Sequence, residues 1–276
     1  MFAKYRYKLC TGKSLDYKIP KTYNDKFFWL NLYWRHPLKT QCADKYSMRE
    51  YVQQKSLGHI LPILFGTYEN SSEIDFDFLP EKFVLKCTHG CGFNIICENK
   101  AFLDKNKAKS QLDQWLEIDF GKVYGELHYS GIKPRIICEE YLDNLDGESL
   151  CDYKVFCFNG KVHCTLVCQD RHALDQITKF DYYDREWKTK LPYIKSSLLA
   201  DRNVSKPDAY DKIINAAEML SQPFPFVRMD FYCIKGKAIL GEMTFTPSAC
   251  VSQDLTEIAQ HQLGELIMLP SSSHFF

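Results

Sequence analysis

Two strand–turn–strand segments in the second half of the chain place the strongest constraint on its fold. The runs DYKVFCF and KVHCTLVCQ flank Asn159-Gly160, a dipeptide typical of a two-residue hairpin turn. The runs FVRMDFYCI and KAILGEMTF flank Lys235-Gly236 in the same way. A helical pattern from about residue 208 to residue 221 separates the two segments. Antiparallel hairpins interleaved with helices predict an α+β fold rather than a doubly wound parallel sheet.

The first half of the chain alternates between helical and strand patterns. Asn24 is predicted to cap one helix and Asp44 to open a second. Three strands are predicted, in KFVLKC (82–87), NIICENK (94–100) and RIICEEYL (135–142). We therefore predict a short, mainly helical region over residues 1–80, a compact α+β subdomain over 81–143 and a second α+β subdomain over 144–276.

Composition narrows the classes of protein that need to be considered. The 276 residues are 45% hydrophobic and 25% charged, as in an ordinary globular protein. The 35 basic and 35 acidic side chains balance, and a net charge of zero disfavours nucleic acid as a partner. Apolar runs extend over about six residues, against the roughly 20 that cross a bilayer. Because the N-terminus also lacks the apolar core of a signal peptide, we expect a cytoplasmic protein without a membrane span.

A glycine-containing loop lies between the first two of these strands. Its sequence, Thr88-His89-Gly90-Cys91-Gly92, follows a strand that ends near Lys86. Two glycines allow the backbone to approach a ligand closely, and a nearby lysine supplies positive charge for phosphate oxygens. The loop has neither the P-loop pattern nor the dinucleotide fingerprint. A tight hairpin turn explains the same residues, so the loop alone leaves both interpretations open.

Acidic and basic residues mark the ends of two further strands. The run Glu139-Glu140-Tyr141-Leu142 is consistent with a solvated strand end and also with a linker whose backbone reads a purine edge. Asp152 and Lys154 share one face of the next strand, because side chains alternate along a strand. They form either an ordinary ion pair or a site for a ribose hydroxyl and a phosphate.

The last predicted hairpin carries the most informative pair of side chains. Its antiparallel strands bring Asp230 close to Glu242, with Arg228 on the same face as Asp230. Facing carboxylates repel unless a cation lies between them, and Mg²⁺ bound to nucleotide phosphates is a natural candidate. In the alternative interpretation, Arg228 neutralises Asp230 without a metal. The hairpin by itself favours neither.

In their order along the chain, these features resemble the ATP-grasp superfamily, and more narrowly its family named after teichuronopeptide biosynthesis in bacterial surface-polysaccharide loci. The matching stretches are YNDKFFWLNLY, CADKYSMREYV, FVLKCTHGCGFNIIC, IKPRIICEEYL, DYKVFCFNGK and PFVRMDFYCIKGKAILGEMTF. They cover nearly the whole chain. The resemblance implies an ATP-grasp fold, in which two α+β lobes clasp ATP.

The resemblance also implies roles for individual residues at a nucleotide site. The residues implied to bind ATP are Lys45, Lys86, His89, Gly90, Gly92, Glu139, Glu140, Tyr141, Leu142, Asp152 and Lys154. Among them, Lys86 is implied to contact the α- or β-phosphate, and Asp152 to bind the ribose. Gly90 and Gly92 are implied to form a mobile flap over the phosphates.

Further residues are implied to act on the transferred phosphoryl group and on the metal. Arg228 is implied to stabilise the charge of the phosphoryl group, with Lys154 and Arg171 in supporting roles. Asp230 and Glu242 are implied to hold Mg²⁺. Thr244 stands where most superfamily members have Asn, and its hydroxyl is a weaker ligand for the metal.

The activity implied is ATP- and Mg²⁺-dependent ligation of a carboxylate to an amine, or to a similar nucleophile, through an acyl phosphate. The implied substrates are small-molecule or glycan carboxylates and amines of a capsular or cell-wall polysaccharide pathway. Two other activities stay open. One is an ATP-grasp-type small-molecule kinase, and the other is a glycosyltransferase, for which Asp75-Phe76-Asp77 is a formal metal motif. The substitution at Thr244 also leaves open a nucleotide-binding protein without turnover.

Overall fold

The computed structural model describes residues 2–143, 151–169, 178–200 and 202–270 of the chain. These residues belong to two compact units. One unit consists of residues 40–143 and is called the four-strand unit below. The other combines the chain up to residue 39 with the chain from residue 144 and is called the six-strand unit. Both contain helices and an antiparallel sheet, so the predicted α+β class is confirmed. The division into three subdomains stays a prediction.

Eight α-helices occur in the described residues. They are α1 (Phe2–Thr11), α2 (Tyr23–Tyr33), α3 (Pro37–Ala43), α4 (Ser47–Gln54), α5 (Lys105–Leu116), α6 (Phe120–Tyr124), α7 (Tyr210–Ser221) and α8 (Glu257–Leu266). None of the helices in these ranges combines the length and the apolar character needed to cross a bilayer. The 12 cysteines all lie in the described residues, and none of them forms a disulfide.

The described residues contain ten strands, which form two sheets, one in each unit. They are β1 (Leu64–Tyr68), β2 (Phe83–Cys87), β3 (Asn94–Cys97), β4 (Ile136–Glu140), β5 (Asp152–Phe158), β6 (Lys161–Gln169), β7 (Lys179–Asp184), β8 (Lys190–Leu191), β9 (Phe226–Ile234) and β10 (Lys237–Thr244). The four-strand sheet has the order β1-β4-β2-β3. The six-strand sheet has the order β10-β9-β5-β6-β7-β8.

The two predicted hairpins are confirmed as β5–β6 and β9–β10. Their turn residues Asn159, Gly160, Lys235 and Gly236 have φ angles of 49°, 78°, 50° and 68°. Two successive residues with positive φ give a turn whose twist matches that of the flanking strands. The turns therefore set which residues of each strand pair lie opposite one another.

Two helix starts differ from the prediction. Helix α2 is capped by Thr22 rather than by Asn24, because Thr22 and Asp25 bond each other's backbone N–H groups in a capping box. Asn24 instead bonds the backbone of Ser252 through both ends of its amide. Helix α4 begins at Ser47, after α3, and the predicted opener Asp44 accepts hydrogen bonds from the backbone N–H of Tyr46 and the hydroxyl of Ser47.

Helices cover both faces of the six-strand sheet. Helix α7 packs on the face that carries Cys157, whose thiol lies 4.0 Å from the carbonyl of Ala217. Helix α2 packs on the other face, where Phe27 meets Phe226 edge-on at 4.5 Å between ring centroids. Burying an aromatic side chain such as Phe226 contributes about 1.5–3 kcal/mol. The two contacts therefore help to hold the paired strands β5 and β9 from both faces of the sheet. The polar residues that begin β5 are consequently buried as well.

Helix α8 approaches the chain before α2 so closely that only glycine fits at position 264. A Cβ atom there would lie 2.5 Å from the carbonyl oxygen of Lys21 and 2.8 Å from the backbone nitrogen of Tyr23. Both are backbone atoms, which cannot turn away as a flexible side chain does.

Replacement of Gly264 by Ala should therefore destabilise the protein, although Gly→Ala normally stabilises a helix by about 1 kcal/mol. We expect a loss of about 1–3 kcal/mol, the usual cost of overpacking, in the free energy of urea unfolding. Gln262→Ala is the control, since Gln262 is exposed on the same helix and should change stability little. A Gly264→Ala variant as stable as the wild type would contradict the close packing.

Candidate active site

Three adjacent strands of the six-strand sheet bring together the acidic and basic residues singled out in the sequence. Lys154 on β5 lies opposite Asp230 on β9, and Asp230 lies opposite Glu242 on β10. In the next row, Arg228 lies opposite Thr244. Residues that oppose one another across strands share a face of the sheet. These five residues, with Asp152 beside them, are called the charged cluster below.

A β-bulge places Glu242 in this cluster. Pairing in the β9–β10 hairpin shifts by one residue between Leu240 and Glu242, at Gly241. Without the shift, Gly241 would lie opposite Asp230, and the Glu242 side chain would point to the other face. A Cβ at position 241 would lie 3.0 Å from the Tyr232 ring and 3.3 Å from the Asp230 carbonyl, so glycine suits the bulge. The predicted proximity of Asp230 and Glu242 is confirmed, and the bulge is its cause.

Asp230 lies at the centre of the charged cluster and is only 4% exposed. Arg228 donates from Nε and Nη2 to its two carboxylate oxygens, each at 2.7 Å. Lys154 forms an ion pair with the same carboxylate and a second one, at 2.6 Å, with Asp152. Arg228 also bonds the Thr244 hydroxyl at 3.2 Å. The predicted pairing of Arg228 with Asp230 is therefore present, and a buried lysine reinforces it.

The electrostatics of the cluster favour the charged forms. Burial alone would raise the pKa of Asp230, but Arg228 and Lys154 outweigh it and lower that pKa to about 2. Burial would likewise lower the pKa of Lys154, yet the attraction of Asp230 leaves it raised. With three carboxylates and two cations, the cluster has a formal charge of −1.

The donor set fits Mg²⁺ held jointly with phosphate oxygens. In the described part of the chain, no three His, Cys, Asp or Glu side chains are grouped to hold a metal by themselves. Mg²⁺ needs only one or two carboxylates when water and substrate phosphates complete its shell. The Glu242 side chain is 27% exposed, and Oδ1 of Asp230 accepts a single hydrogen bond, which leaves it a lone pair. Thr244 adds a hydroxyl 3.4 Å from Glu242.

The glycine loop of the four-strand unit has a fixed base and an open tip. Gly90 is buried, and a Cβ there would lie 2.6 Å from the Phe120 ring. Its carbonyl accepts a 2.6 Å hydrogen bond from the Lys45 ammonium group. Gly92 is exposed with φ of 78°, and a Cβ there would meet no atom within 4 Å. The loop is thus a turn that leaves space around Gly92, and the flap role of both glycines stays a prediction.

Lys86 belongs to a buried ion triad within the four-strand unit. Its ammonium lies 2.7 Å from a Glu139 oxygen, and the guanidinium of Arg49 lies 2.9 Å from the other oxygen of the same carboxylate. Arg49 also donates to the carbonyl of Pro62 at 2.7 Å. Two cations on one carboxylate leave a charge of +1, and the Lys86 side chain is the most exposed of the three, at 21%. Sequence reasoning missed Arg49, because only folding brings α4 beside β4.

The predicted purine-reading run is divided by the end of β4. Glu139 and Glu140 lie in the strand, and the backbone N–H of Glu140 donates to the Ile63 carbonyl. Tyr141 and Leu142 follow the strand, and the Tyr141 hydroxyl donates to a Glu98 oxygen at 3.2 Å. Recognition of a purine by this run stays a prediction.

Three other predictions concerned His89, Arg171 and the formal metal motif Asp75-Phe76-Asp77. His89 is 2% exposed, with Nε2 3.1 Å from the Trp115 carbonyl, and burial lowers its pKa. Its imidazole is therefore directed into the four-strand unit. Arg171 lies outside the described residues. Asp75 accepts from the backbone N–H of Asp77, whose own carboxylate pairs with Lys105 at 2.9 Å, so both acids of that formal motif make local contacts.

The lowered pKa of Asp230 predicts an acid-labile contribution to stability. A carboxyl whose pKa is about 2 when folded and about 3.8 when unfolded stabilises the protein above about pH 4 and loses this effect as pH falls to 2. The loss corresponds to about 2 kcal/mol in the free energy of unfolding. Wild type and Asp230→Asn should therefore differ most near pH 5 and converge towards pH 2. A constant difference over this range would contradict the assignment.

The ion triad predicts a stability cost for losing Arg49. Arg49→Met leaves Glu139 with a single cation and should lower the free energy of urea unfolding by about 1–3 kcal/mol. Arg49→Lys keeps the charge and should lose less. The double variant Arg49→Met with Glu139→Gln should recover part of the loss, because the buried carboxylate is then removed. Additive losses in the double variant would show that the two side chains do not interact.

Comparison with known proteins adds independent information. Residues 25–268 match the family model described as TupA-like ATPgrasp. No curated protein matches the chain. Among solved structures, D-alanine–D-alanine ligase from Bacillus anthracis in complex with ATP has 15% identity and a TM-score of 0.44, over 74% of this chain and 53% of that chain.

Two further solved ligases are similar at comparable levels. An L-amino acid ligase from Bacillus licheniformis has 13% identity and a TM-score of 0.49, covering 80% of this chain and 47% of that chain. A phosphoribosylamine–glycine ligase from Thermotoga maritima has 11% identity and a TM-score of 0.47, covering 77% and 50%. The chain spans about half the length of these solved proteins.

The match to the family model includes every candidate residue, from Lys45 to Thr244. It covers most of the chain. The chain therefore belongs to the TupA-like ATP-grasp family.

Proposed function

We propose that this chain is an ATP- and Mg²⁺-dependent ligase that joins a carboxylate to an amine through an acyl phosphate. The observation that supports this most strongly is the charged cluster. It places two carboxylates opposite each other and two cations beside them, on three adjacent strands. Acyl-phosphate formation needs such a combination, because it moves a phosphoryl group between negatively charged partners.

The proposed first step transfers the γ-phosphoryl group of ATP to the acid. A carboxylate oxygen of the substrate attacks the γ-phosphorus, the bond to the β,γ-bridging oxygen breaks, and ADP leaves. When bound at Asp230 and Glu242, with Thr244 beside them, Mg²⁺ would neutralise phosphate charge. Arg228 and Lys154 would orient the phosphoryl group and spread its charge without forming a covalent bond to it.

The proposed second step forms the amide. The amine nitrogen attacks the acyl carbon, and inorganic phosphate leaves with the electrons of the broken C–O bond and takes up the proton that the nitrogen loses. The acyl phosphate reacts readily with water, so the enzyme must exclude water until the amine arrives. The open tip of the glycine loop, at Gly92, would close over the phosphates to do this. The reaction needs no protein nucleophile.

The remaining candidate residues would bind the nucleotide. Lys86 would contact a phosphate, since its ion triad retains a charge of +1. Asp152 would accept hydrogen bonds from the ribose, and the run Glu139–Leu142 would read the purine. Lys45 and His89 would support the glycine loop, and Arg171 would assist at the phosphate or the acid.

We further propose that the product is a capsular or cell-wall polysaccharide, or its precursor, that carries an added amino acid or amine. This proposal rests on the resemblance between the chain and a family of surface-polysaccharide loci. The reaction would take place in the cytoplasm, where ATP is abundant. A kinase of the same fold would release ADP without inorganic phosphate, so measuring both products separates the two activities.

Glu242→Gln should abolish Mg²⁺-dependent ATP turnover while the protein stays folded. It removes one negative charge from a partly exposed side chain and preserves its shape. Asp230→Asn should abolish turnover too, but it leaves two cations in the cluster without their shared carboxylate and should also lower stability.

The measurement is a thermal shift with a non-hydrolysable ATP analogue, with and without Mg²⁺, beside an assay for ADP and phosphate. Ligand at about 100 times its Kd stabilises the wild type by roughly 2.7 kcal/mol. Glu242→Gln should lose the part of the shift that depends on Mg²⁺. Glu257→Gln, at an exposed site on α8, is the matched control and should behave as the wild type. Normal turnover by Glu242→Gln would overturn the metal assignment.

A further inference from the structure

We infer that a cavity beside Arg228 and Lys154 binds the acid to be activated, and that this acid is a small carboxylic acid with an apolar body about the size of a six-membered ring. The inference rests on the proposed ligase function and assigns its acid substrate. The cavity lies within the six-strand unit and has a volume of about 140 Å³. Arg228 and Lys154 lie on one side of it, and aromatic and aliphatic side chains line much of the rest.

The register of the sheet joins the charged cluster to the apolar part of the cavity. One row of opposing residues crosses five strands, in the order Glu242, Asp230, Lys154, Leu166 and Tyr182. Opposing residues share a face, so the row passes directly from carboxylates and a cation to apolar side chains. A molecule lying along this row would have a charged end and an apolar end.

The charged end of the cavity suits a carboxylate. Within the described residues, the hydrogen bonds of Arg228 use Nε and Nη2, which leaves the two Nη1 hydrogens for a ligand. The ammonium of Lys154 has three hydrogens and two carboxylate partners, Asp152 and Asp230. Charge-assisted hydrogen bonds from these groups would hold a carboxylate beside the proposed phosphoryl site.

The other end of the cavity suits an apolar body. Six of the lining side chains are aromatic or aliphatic, namely Phe156, Leu166, Phe180, Tyr182, Ile194 and Leu255. Cys168, Pro247 and Asp254 also line the cavity. A cavity of about 150 Å³ with aliphatic and aromatic walls holds one benzene molecule, so about 140 Å³ accepts one ring or a branched chain. A sugar ring carries hydroxyl groups all round, and those that meet the six aromatic or aliphatic side chains would lose hydrogen bonds at a cost. The size of the cavity and these six side chains therefore favour an acid with an apolar body over a sugar acid.

The remaining wall is a strained loop that the tertiary structure holds in place. Ser248, Ala249 and Cys250 have φ angles of 52°, 48° and 70°, so three successive non-glycine residues are left-handed. This conformation is unfavourable for L-residues and persists only where the surroundings impose it. Asn24 accepts from the Ser252 N–H at 3.0 Å and donates to the Ser252 carbonyl at 3.4 Å. Ser248 and Ser252 both line the cavity, so this anchor gives its wall a defined shape.

This assignment gives the two substrates of the proposed ligase different roles. The small acid would enter the cavity and be activated, whereas the larger polysaccharide or its precursor would supply the amine from outside. The group that is added would be the acid and not the glycan. The ligand class is thus an apolar monocarboxylic acid, including an amino acid with an apolar side chain.

The test compares acids in an assay for ADP release, with Mg²⁺-ATP, hydroxylamine as a general amine, and the full-length chain. Benzoate, phenylalanine and 3-methylbutanoate represent the apolar class, and glucuronate represents the sugar acids. We expect kcat/KM for the best apolar acid to exceed that for glucuronate by about tenfold or more, as for other pockets that discriminate by burial. Glucuronate as the best acid, or ADP release with none of the apolar acids, would overturn the inference.

A matched pair of variants tests whether the cavity is responsible. Leu166→Phe narrows the cavity and should lower kcat/KM for the ring-sized acids by about tenfold relative to 3-methylbutanoate, whereas Leu166→Ala should shift preference towards larger acids. Both should keep the wild-type thermal shift with the ATP analogue. Leu199→Ala removes an exposed side chain outside the cavity and is the control. Equal effects on all acids would overturn the cavity as the determinant.

The same assays separate this inference from the proposed function. A wild-type chain that shows no Mg²⁺-dependent shift with the ATP analogue contradicts the ligase proposal itself. A chain that binds the analogue and releases ADP and phosphate with glucuronate alone keeps the ligase proposal and overturns only the acid assigned to the cavity.

Discussion

A buried carboxylate between two cations is the interaction on which the candidate site depends. Asp230 has Arg228 on both of its oxygens and Lys154 on one of them. An isolated charge in this position would be prohibitively costly, and each of the three groups makes the burial of the others possible. The arrangement also holds two cations in one place before any ligand binds. Phosphate charge can then be stabilised with little reorganisation of the protein.

The four-strand unit also buries a carboxylate between two cations, with different residues. Glu139 is buried between Lys86 and Arg49, and the triad keeps a surplus positive charge. In the charged cluster, by contrast, Asp152 and Glu242 give a surplus of negative charge. A surplus cation suits a phosphate directly, whereas a surplus carboxylate suits a divalent metal that accompanies phosphates. The two ion clusters therefore differ in the sign of their surplus charge.

Local sequence patterns were sufficient for the hairpins, for most strands and for the α+β class. Alternation and turn dipeptides act over a few residues, and the β5–β6 and β9–β10 pairs follow from them. Helix starts were less predictable, because several side chains near a helix terminus compete as caps. Asn24 has the right chemistry for a cap, but Thr22 forms the capping box and Asn24 anchors a distant loop.

The sequence by itself determined which chemical groups are present and which hairpins carry them, since strand alternation and turn chemistry depend on near neighbours. It could also be matched to a family, because the order of motifs is a property of the chain. Only the tertiary structure decided three features: the bulge at Gly241 that turns Glu242 towards Asp230, the contact of Arg49 with Glu139, and the apolar cavity beside Arg228. The bulge depends on a one-residue shift in pairing, and the other two features depend on the packing of segments that are distant in sequence. Such a shift and such packing leave no local sequence pattern strong enough to predict them.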